Sequence, residues 1–587
     1  MAMSDTDDEA ALVGRALTAI VDIGSNGIRF SISSKAPHHS RIMPCVFKDR
    51  INISLIDVQY DTLGNKIPIP QETIHEVVAA MKRFKLICED FGVLSSGVQI
   101  VATEATRQAV NSQELRDSIY DATGWEVELL DKEMEGKLGA FGVASSFNSL
   151  SGLFMELGGG STQLSWIIVS EGEVKLSPTP VSLPYGAAEL SRRIKLEDKK
   201  ELFTEIQLAF QKAFQTIQIP DELIEQANSK GGLDLFTSGG GLRGLGYLLL
   251  SDMPNYPIPT IINGFSCAFN EFQNISDYLL LKESLPKPNE PTPFKISERR
   301  KTQLPATGLL ISAAFHNTST TLPIKTVHFS EGGVREGVLY STLPREIRSQ
   351  DPLLIASRPY APLLAQKYLQ LLSTALPSRH VPNEVIERIA PALCNLAFVH
   401  ASYPKELQPT AALHVAITGI IAGSHGLSHH TRALIGIALC DRWGGDLPPS
   451  EVKFRDSLCD LVKRDGGGSG KSRIEMERLV WWSKYIGTLM YVICGVHPGG
   501  NIRDGVFNFK ILDTSETANV ATGAGLVANG GTGEEKRKFD VIVQISKDDL
   551  KTSASVRGRI LTLQKKIRKL SKGSSEKVKI GVELYDH

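Results

Sequence analysis

Two stretches of this 587-residue chain put a carboxylate, glycines and hydroxyl or amide side chains between apolar runs. The first is Ile20-Val21-Asp22-Ile23-Gly24-Ser25-Asn26-Gly27-Ile28-Arg29-Phe30. The second is Phe154-Met155-Glu156-Leu157-Gly158-Gly159-Gly160-Ser161-Thr162-Gln163-Leu164. Each predicts a strand, a glycine turn and a return strand. Glycine lets a backbone approach an oxyanion closely and turn its N–H groups toward it. The hydroxyls of Ser25, Ser161 and Thr162 add donors. Asp22 and Glu156 stand near the strand ends, where a carboxylate can hold a hydrated Mg²⁺, a hard ion that prefers oxygen. A single such hairpin is common and weakly informative. Two copies predict two facing lobes with a phosphate cleft between them.

The elements that position these turns follow from hydrophobic periodicity. Strands are predicted at 19–23 and 28–33 and at 98–102, the last ending in Thr103-Glu104-Ala105-Thr106-Arg107. A helix is predicted over 71–90, where Ile74, Val77, Val78, Met81, Phe84 and Ile87 keep three- and four-residue spacing. Helix 112–122 stops at Gly124, a favourable C-terminal glycine. Strand 126–130 leads into a helix carrying Glu133, Glu135 and Lys137. Strands at 153–157 and 163–169 flank the second turn, with helices expected at 186–194 and 198–217. Strand 233–237 runs into a third glycine stretch, Ser238-Gly239-Gly240-Gly241. Residues 34–70 read as mixed, and 284–294, with four prolines, as a loop. Residues 1–14 read as a disordered tail. The expected units are 15–150, 151–345, a helical part over 346–482 and a small α+β part over 483–587.

Composition narrows the function. Net charge is −1, which speaks against a general nucleic-acid binder. Apolar runs such as Tyr491-Val492-Ile493-Cys494 fall short of membrane-spanning length. Seven scattered cysteines without a CxxC pair, and an acidic polar N-terminus unlike a targeting signal, point to reduced thiols in a cytosolic or nuclear protein. Asp465-Gly466-Gly467-Gly468-Ser469-Gly470-Lys471-Ser472 imitates a P-loop, but has Asp where the motif needs Gly and no strand before it, and so reads as a linker. His414, His425, His429 and His430 lack zinc-ligand spacing and read as structural or surface histidines. The basic stretch 553–570, with Val556, Ile560, Leu563, Ile567 and Leu570 on one face, reads as a docked amphipathic helix.

Taken in order, Asp22 to Asn26 with Arg29, Ala102 to Arg107, Glu135, Leu157 to Thr162, Ser238 to Gly241 and Val334-Arg335-Glu336-Gly337 resemble the exopolyphosphatase/guanosine-pentaphosphate phosphatase (Ppx/GppA) family. The resemblance covers about residues 18–342. It implies an α/β fold of two actin/Hsp70-like, ribonuclease-H-type lobes, here followed by the helical and α+β parts. It also implies roles. Asp22 and Glu156 would face the metal, Mg²⁺. Gly24, Ser25, Asn26, Gly27, Gly158, Gly159, Gly160, Ser161 and Thr162 would cradle phosphates, with Thr106 beside them. Arg29 and Arg107 would neutralise phosphate charge. Glu135 would activate the attacking water, and Gly239, Gly240 and Gly241 would contact a nucleotide.

Two departures from the family pattern bear on activity. Glu156 stands where the family usually has Asp, and Gln163 where it usually has Glu. Misplacing a catalytic group by about 1 Å can cost about 10²-fold in rate. These changes spare phosphate binding and weaken catalysis. The form of the first turn and the long tail resemble a fungal regulatory member of the family. That likeness implies a cytoplasmic nucleotide- or phosphate-sensing regulator in retrograde signalling. Such a regulator would bind ATP, a guanosine polyphosphate or polyphosphate and act through a protein partner. It would need no direct nucleic-acid or membrane contact, and a homodimer is compatible with it. The alternative is a working Mg²⁺-dependent phosphohydrolase. An actin-like ATPase shares the cleft but fits Thr103 to Arg107 poorly.

Overall fold

The computed structural model describes residues 14–585 apart from 62–63, 287–293, 317–322, 359–361, 465–471, 514–536 and 548–553. The P-loop imitation and the N-terminal tail, except Gly14 and Ser472, lie outside the described residues. The chain forms two compact units. One holds the residues up to Ile355 with Gly423–Ser428, and the other holds Ala356–Ala422 and most of the chain from His429 on.

The first unit contains the same sheet built twice. β1 (Leu17–Gly24), β2 (Gly27–Ser34) and β3 (Cys45–Ile51) form an antiparallel meander. After helix α1 (Gln71–Asp90), β4 (Val98–Ala102) joins β1 in parallel and β5 (Val127–Leu129) joins β4, giving the order β3-β2-β1-β4-β5. Helix α2 (Lys132–Ser145) then leads to the second meander. That meander is β6 (Leu150–Leu157), β7 (Thr162–Ser170) and β8 (Glu173–Leu176), with β9 (Val181–Leu183) paired to β7. β10 (Leu233–Ser238) adds in parallel to β6 and β12 (Ile324–Phe329) to β10, with β11 (Ser266–Ala268) antiparallel at the far edge. Three antiparallel strands followed by two parallel ones, twice over, is the ribonuclease-H-type arrangement of an actin-like protein.

The strand sequences explain this arrangement. β1 reads Leu-Thr-Ala-Ile-Val-Asp-Ile-Gly and is buried from residue 18 to 23, as a strand covered on both faces should be. α1 lays Ile74, Val77, Met81 and Phe84 on one face of that sheet, against Val21, Ile23, Phe30 and Ile100. In the second lobe, α3 (Gly240–Asp252) and α4 (Glu298–Ala314) cover Leu153, Met155, Leu164 and Leu235 with Leu242, Leu245, Leu304 and Leu310. α4 contains Pro305 in its interior, which has no N–H to give the Lys301 carbonyl and so costs the helix one hydrogen bond. α5 (Val334–Ser341) packs on α2 backbone to backbone. A Cβ at Gly337 would overlap the Leu138 carbonyl oxygen and lie 3.0 Å from Gly142 N, and a Cβ at Gly142 would overlap Gly333.

In the second unit, α6 (His429–Arg442) packs on α7 (Arg473–Val496). The division expected at 482 falls inside α7, which runs unbroken through it. By length and composition alone α7 could cross a membrane, and in this respect the reading of residues 491–494 as too short is corrected. The isolated run is short, but it belongs to a 24-residue helix, and 83% of its most apolar window is buried in the protein. β13 (Phe507–Asp513) pairs antiparallel with β14 (Arg537–Ser546). α8 (Ala554–Ser571) is the crossover that brings β15 (Glu576–Tyr585) parallel to β14. Val556, Ile560, Leu563 and Ile567 of α8 are buried, so its apolar face is docked as the spacing predicts.

Candidate functional site

The two hairpins match position for position. In the first, Asp22 lies opposite Arg29 and Gly24 opposite Gly27. In the second, Glu156 lies opposite Gln163. The tips meet: a Cβ on Gly159 would sit 2.6 Å from the Asn26 amide nitrogen and 3.0 Å from Ser25 Cβ. Only glycine allows this approach, and it brings both turns to one cleft as the repeated pattern predicts.

The cleft is lined by Asp22, Gly24–Gly27 and Arg29 from the first hairpin and by Glu156 and Gly158–Ser161 from the second. Glu135 of α2 and Gly239–Gly241 at the start of α3 complete the set expected from the sequence. The second turn is held from behind. The carbonyls of Gly158, Gly159 and Gly160 accept hydrogen bonds from the N–H groups of Ala187, Ala188 and Gly186 at 2.9, 3.0 and 3.1 Å. In a planar trans peptide the N–H points opposite the carbonyl. The N–H groups of Gly159, Gly160 and Ser161 therefore point away from the 187–193 helix, and they are donors for an anion. α3 also starts at the cleft, without a side-chain cap on its first N–H groups, which is a favourable place for a phosphate. Gly239 has φ +89°, and its Cβ would overlap Leu157 O, so glycine is required there.

Three expected residues stand elsewhere. Thr162 is fully buried and its hydroxyl donates to Tyr185 O at 2.5 Å. Thr106 is also fully buried, and among the described residues its hydroxyl has no hydrogen-bond partner. Arg107 is not on the cleft wall. Its guanidinium pairs with Glu104 and with Glu135, the latter at 3.0 Å, and donates to Leu130 O.

Carboxylates gather on one side. Arg29 Nη1 donates to Asp22 Oδ2 at 3.0 Å, and Asp22 is 3% exposed. Burial pushes Glu135 up to about 7, against the pull of Arg107. Burial, reinforced by the charges of Glu135 and Asp22, pushes Glu156 up to about 8. Glu156 Oε2 is buried and, among the described residues, has no hydrogen-bond partner. The longer side chain fits because residue 139 of α2 is glycine: a Cβ there would overlap Glu156 Oε2 and lie 3.2 Å from its Cδ. Gln163 Nε2 donates to Ser161 Oγ at 3.2 Å. Among the described residues no group of three His, Cys, Asp or Glu side chains could hold a metal ion directly. Asp22 and Glu156 line the same cleft, and two carboxylates there fit a hydrated cation reached through water.

Cations gather on the other side, and sequence reasoning missed most of them. Arg50 of β3 donates to Asn26 O at 3.1 Å. Arg299 and Arg300 open α4, with Ser297 as its cap, and line the cleft with Gln303 and Thr103. Arg243 of α3 donates to Glu331 O at 2.7 Å. Burial and neighbouring arginines push Arg50 and Arg300 down to about 10. Among the described residues neither Arg50 nor Arg300 has a carboxylate partner; Arg300 donates only to Lys295 O, at 3.3 Å. The signal for α4 was partial: Ser297 is a good helix cap, but Leu309-Leu310-Ile311 are consecutive and Pro305 interrupts the run, so no amphipathic spacing marked the helix. The signal for Arg50 was weaker, because β3 is a largely solvated edge strand.

Residues 31–346 match the model of the Ppx/GppA phosphatase family, and residues 351–585 match that of the RTG2 C-terminal domain. Retrograde regulation protein 2 of Saccharomyces cerevisiae is 59% identical over 594 residues, covering 100% of this chain and 99% of that protein. The bifunctional 3-dehydroquinate synthase/phosphatase of Fusobacterium nucleatum is 24% identical over 194 residues, 32% of this chain and 28% of that one. Among solved structures, the Aquifex aeolicus Ppx/GppA family member is 22% identical with a TM-score of 0.42, over 55% of this chain and 96% of that one. An exopolyphosphatase from Cytophaga hutchinsonii is 18% identical with a TM-score of 0.41, over 55% and 97%.

Proposed function

Because this chain belongs to the Ppx/GppA phosphatase family and carries an RTG2 C-terminal domain, we propose that it is a regulator whose cleft senses a polyphosphorylated anion. The observation that carries the ligand class is the pair Arg50 and Arg300, two guanidiniums on the cleft without a carboxylate partner among the described residues. Arg50 is exposed and Arg300 half-buried; their like charges, together with neighbouring arginines, set up a positive potential on the cleft that an anion with several phosphates offsets. ATP, a guanosine polyphosphate and polyphosphate all carry that group. Asp22 and Glu156 would hold a hydrated Mg²⁺, which supplies positive charge to the phosphates. By likeness to the yeast relative, the bound state would be reported in retrograde signalling to a protein partner in the cytoplasm.

Slow or absent hydrolysis fits the same geometry. A general base must be free to take a proton from water within hydrogen-bond reach. Glu135 instead shares its carboxylate with Arg107 at 3.0 Å, and neutral Gln163 stands opposite Glu156. Catalysis depends on contacts made only in the transition state, whereas sensing needs binding alone. The second reading, a working phosphohydrolase, is favoured by Asp22 and Glu135 lining one cleft. A phosphate-release assay separates the two. Wild type should release phosphate slowly, and the Glu156→Asp/Gln163→Glu double variant faster. Fast wild-type release abolished by Glu135→Ala would establish the enzyme and overturn the sensor.

A further inference from the structure

Between β3 and α1, residues 54–60 of the first lobe run beside the glycine turns. Ile56 N donates to Ser25 O at 3.2 Å. A Cβ on Gly160 would lie 3.5 Å from Ile56 Cδ1, so this segment reaches both glycine turns. Two arginines of the second lobe hold it. Arg299 Nη2 donates to Asp57 Oδ2 at 2.8 Å, to Asn26 Oδ1 at 2.6 Å and to Ser54 Oγ. Arg192 lies 4.4 Å from the centre of the Tyr60 ring. Arg299 thus lines the cleft while its charge is spent on the opposite lobe.

We propose that Arg299 and Asp57 form a charge-sensitive clasp across the cleft, opened only by an anion with enough phosphates to take Arg299 from Asp57. It rests on the cleft reading given above. The chemistry is a competition for one guanidinium. Arg300, next in sequence, already faces the cleft without a carboxylate partner among the described residues, so a small anion can pair there and leave the clasp shut. A longer chain of phosphates reaches both arginines. It replaces the single carboxylate of Asp57, which is 61% exposed and therefore held weakly by screened charge. Release of Arg299 frees Asn26 at the tip of the first turn and Asp57 on the segment beside it. Ligand length becomes a change in the 54–60 segment, which a sensor can report. A ligand that binds the open and clasped forms equally would shift nothing.

The experiment uses the full chain with Mg²⁺ and, at matched ionic strength, inorganic phosphate, pyrophosphate or tripolyphosphate. Hydrogen exchange at 54–60 and calorimetric affinity are read in wild type, Asp57→Asn and Arg299→Gln. Tripolyphosphate should raise exchange at 54–60 in wild type, and inorganic phosphate should not. Asp57→Asn should start with raised exchange and bind pyrophosphate about two- to fivefold more tightly, the range of an exposed ion pair. Arg299→Gln should lose affinity for tripolyphosphate more than for phosphate. If tripolyphosphate binds but Asp57→Asn changes neither exchange nor length dependence, the clasp is wrong and the cleft reading stands. If tripolyphosphate binds to no form, the cleft reading fails and the clasp with it.

Discussion

Replacing Gly139 by alanine tests how Glu156 is held. Gly139 sits in the middle of α2, where alanine is normally favoured over glycine by about 1 kcal/mol. Here the new methyl group would overlap Glu156 Oε2, lie 3.2 Å from Glu156 Cδ and 3.4 Å from Phe154 Cζ. Overpacking of this kind costs about 1–3 kcal/mol. The Gly139→Ala chain should therefore be destabilised by up to about 2 kcal/mol after the helix gain is subtracted. Glu156→Asp withdraws the clashing carboxylate by one methylene. In that background Gly139→Ala should be neutral or stabilising by up to about 1 kcal/mol. The coupling between the two sites would be about 1–3 kcal/mol, the size found for residues in contact. Urea unfolding followed by hydrogen exchange in α2 assigns the readout to this unit. An equal cost of Gly139→Ala in the wild-type and Glu156→Asp backgrounds would refute the packing argument, and with it the claim that the longer carboxylate is accommodated by this glycine.

Gly337→Ala should be more costly and should not be rescued by any side-chain change. Its Cβ would meet the backbone of α2 at Leu138 O, so thermal unfolding should show a loss of several degrees or no folded protein. Glu336 gives a pH prediction. Burial pushes its carboxyl up, but Arg335 beside it wins and holds it at about 2. A depressed carboxyl contributes stability above its unfolded value of about 4.5 and loses it as pH falls toward about 2. Glu336→Gln should lower the thermal midpoint at pH 7, and the difference from wild type should shrink below about pH 4. A constant difference down to about pH 3 would remove the ion pair as its cause.

The parts legible in the sequence were those set by local pattern. The helix expected over 71–90 is observed as Gln71–Asp90, because its apolar spacing and its packing on β1 agree. The hairpins were legible because glycine and a carboxylate at matching offsets leave few alternatives. The cationic side was not, because it is assembled over long sequence distances. Arg50 comes from an edge strand, Arg243 from α3, and Arg299 and Arg300 from α4, which follows a proline-rich stretch. Arg107 was assigned to the cleft wall by resemblance. Its place beside Glu135 depends on how α2 lies against the 104–108 helix, which no local pattern records. The division at 482 failed to anticipate α7 for a similar reason. A buried helix is apolar on all sides, and its end is set by what packs on it rather than by composition.

The most direct test of the cleft as a polyphosphate sensor is calorimetric titration of tripolyphosphate, with Mg²⁺, into wild type and into Arg300→Gln. Saturable binding to wild type is expected. The variant should lose about 1.5–3 kcal/mol, the worth of a charged hydrogen bond, which is about a ten- to hundredfold weaker affinity. Equal affinity in a folded Arg300→Gln chain, or no binding to wild type, would contradict the sensor reading.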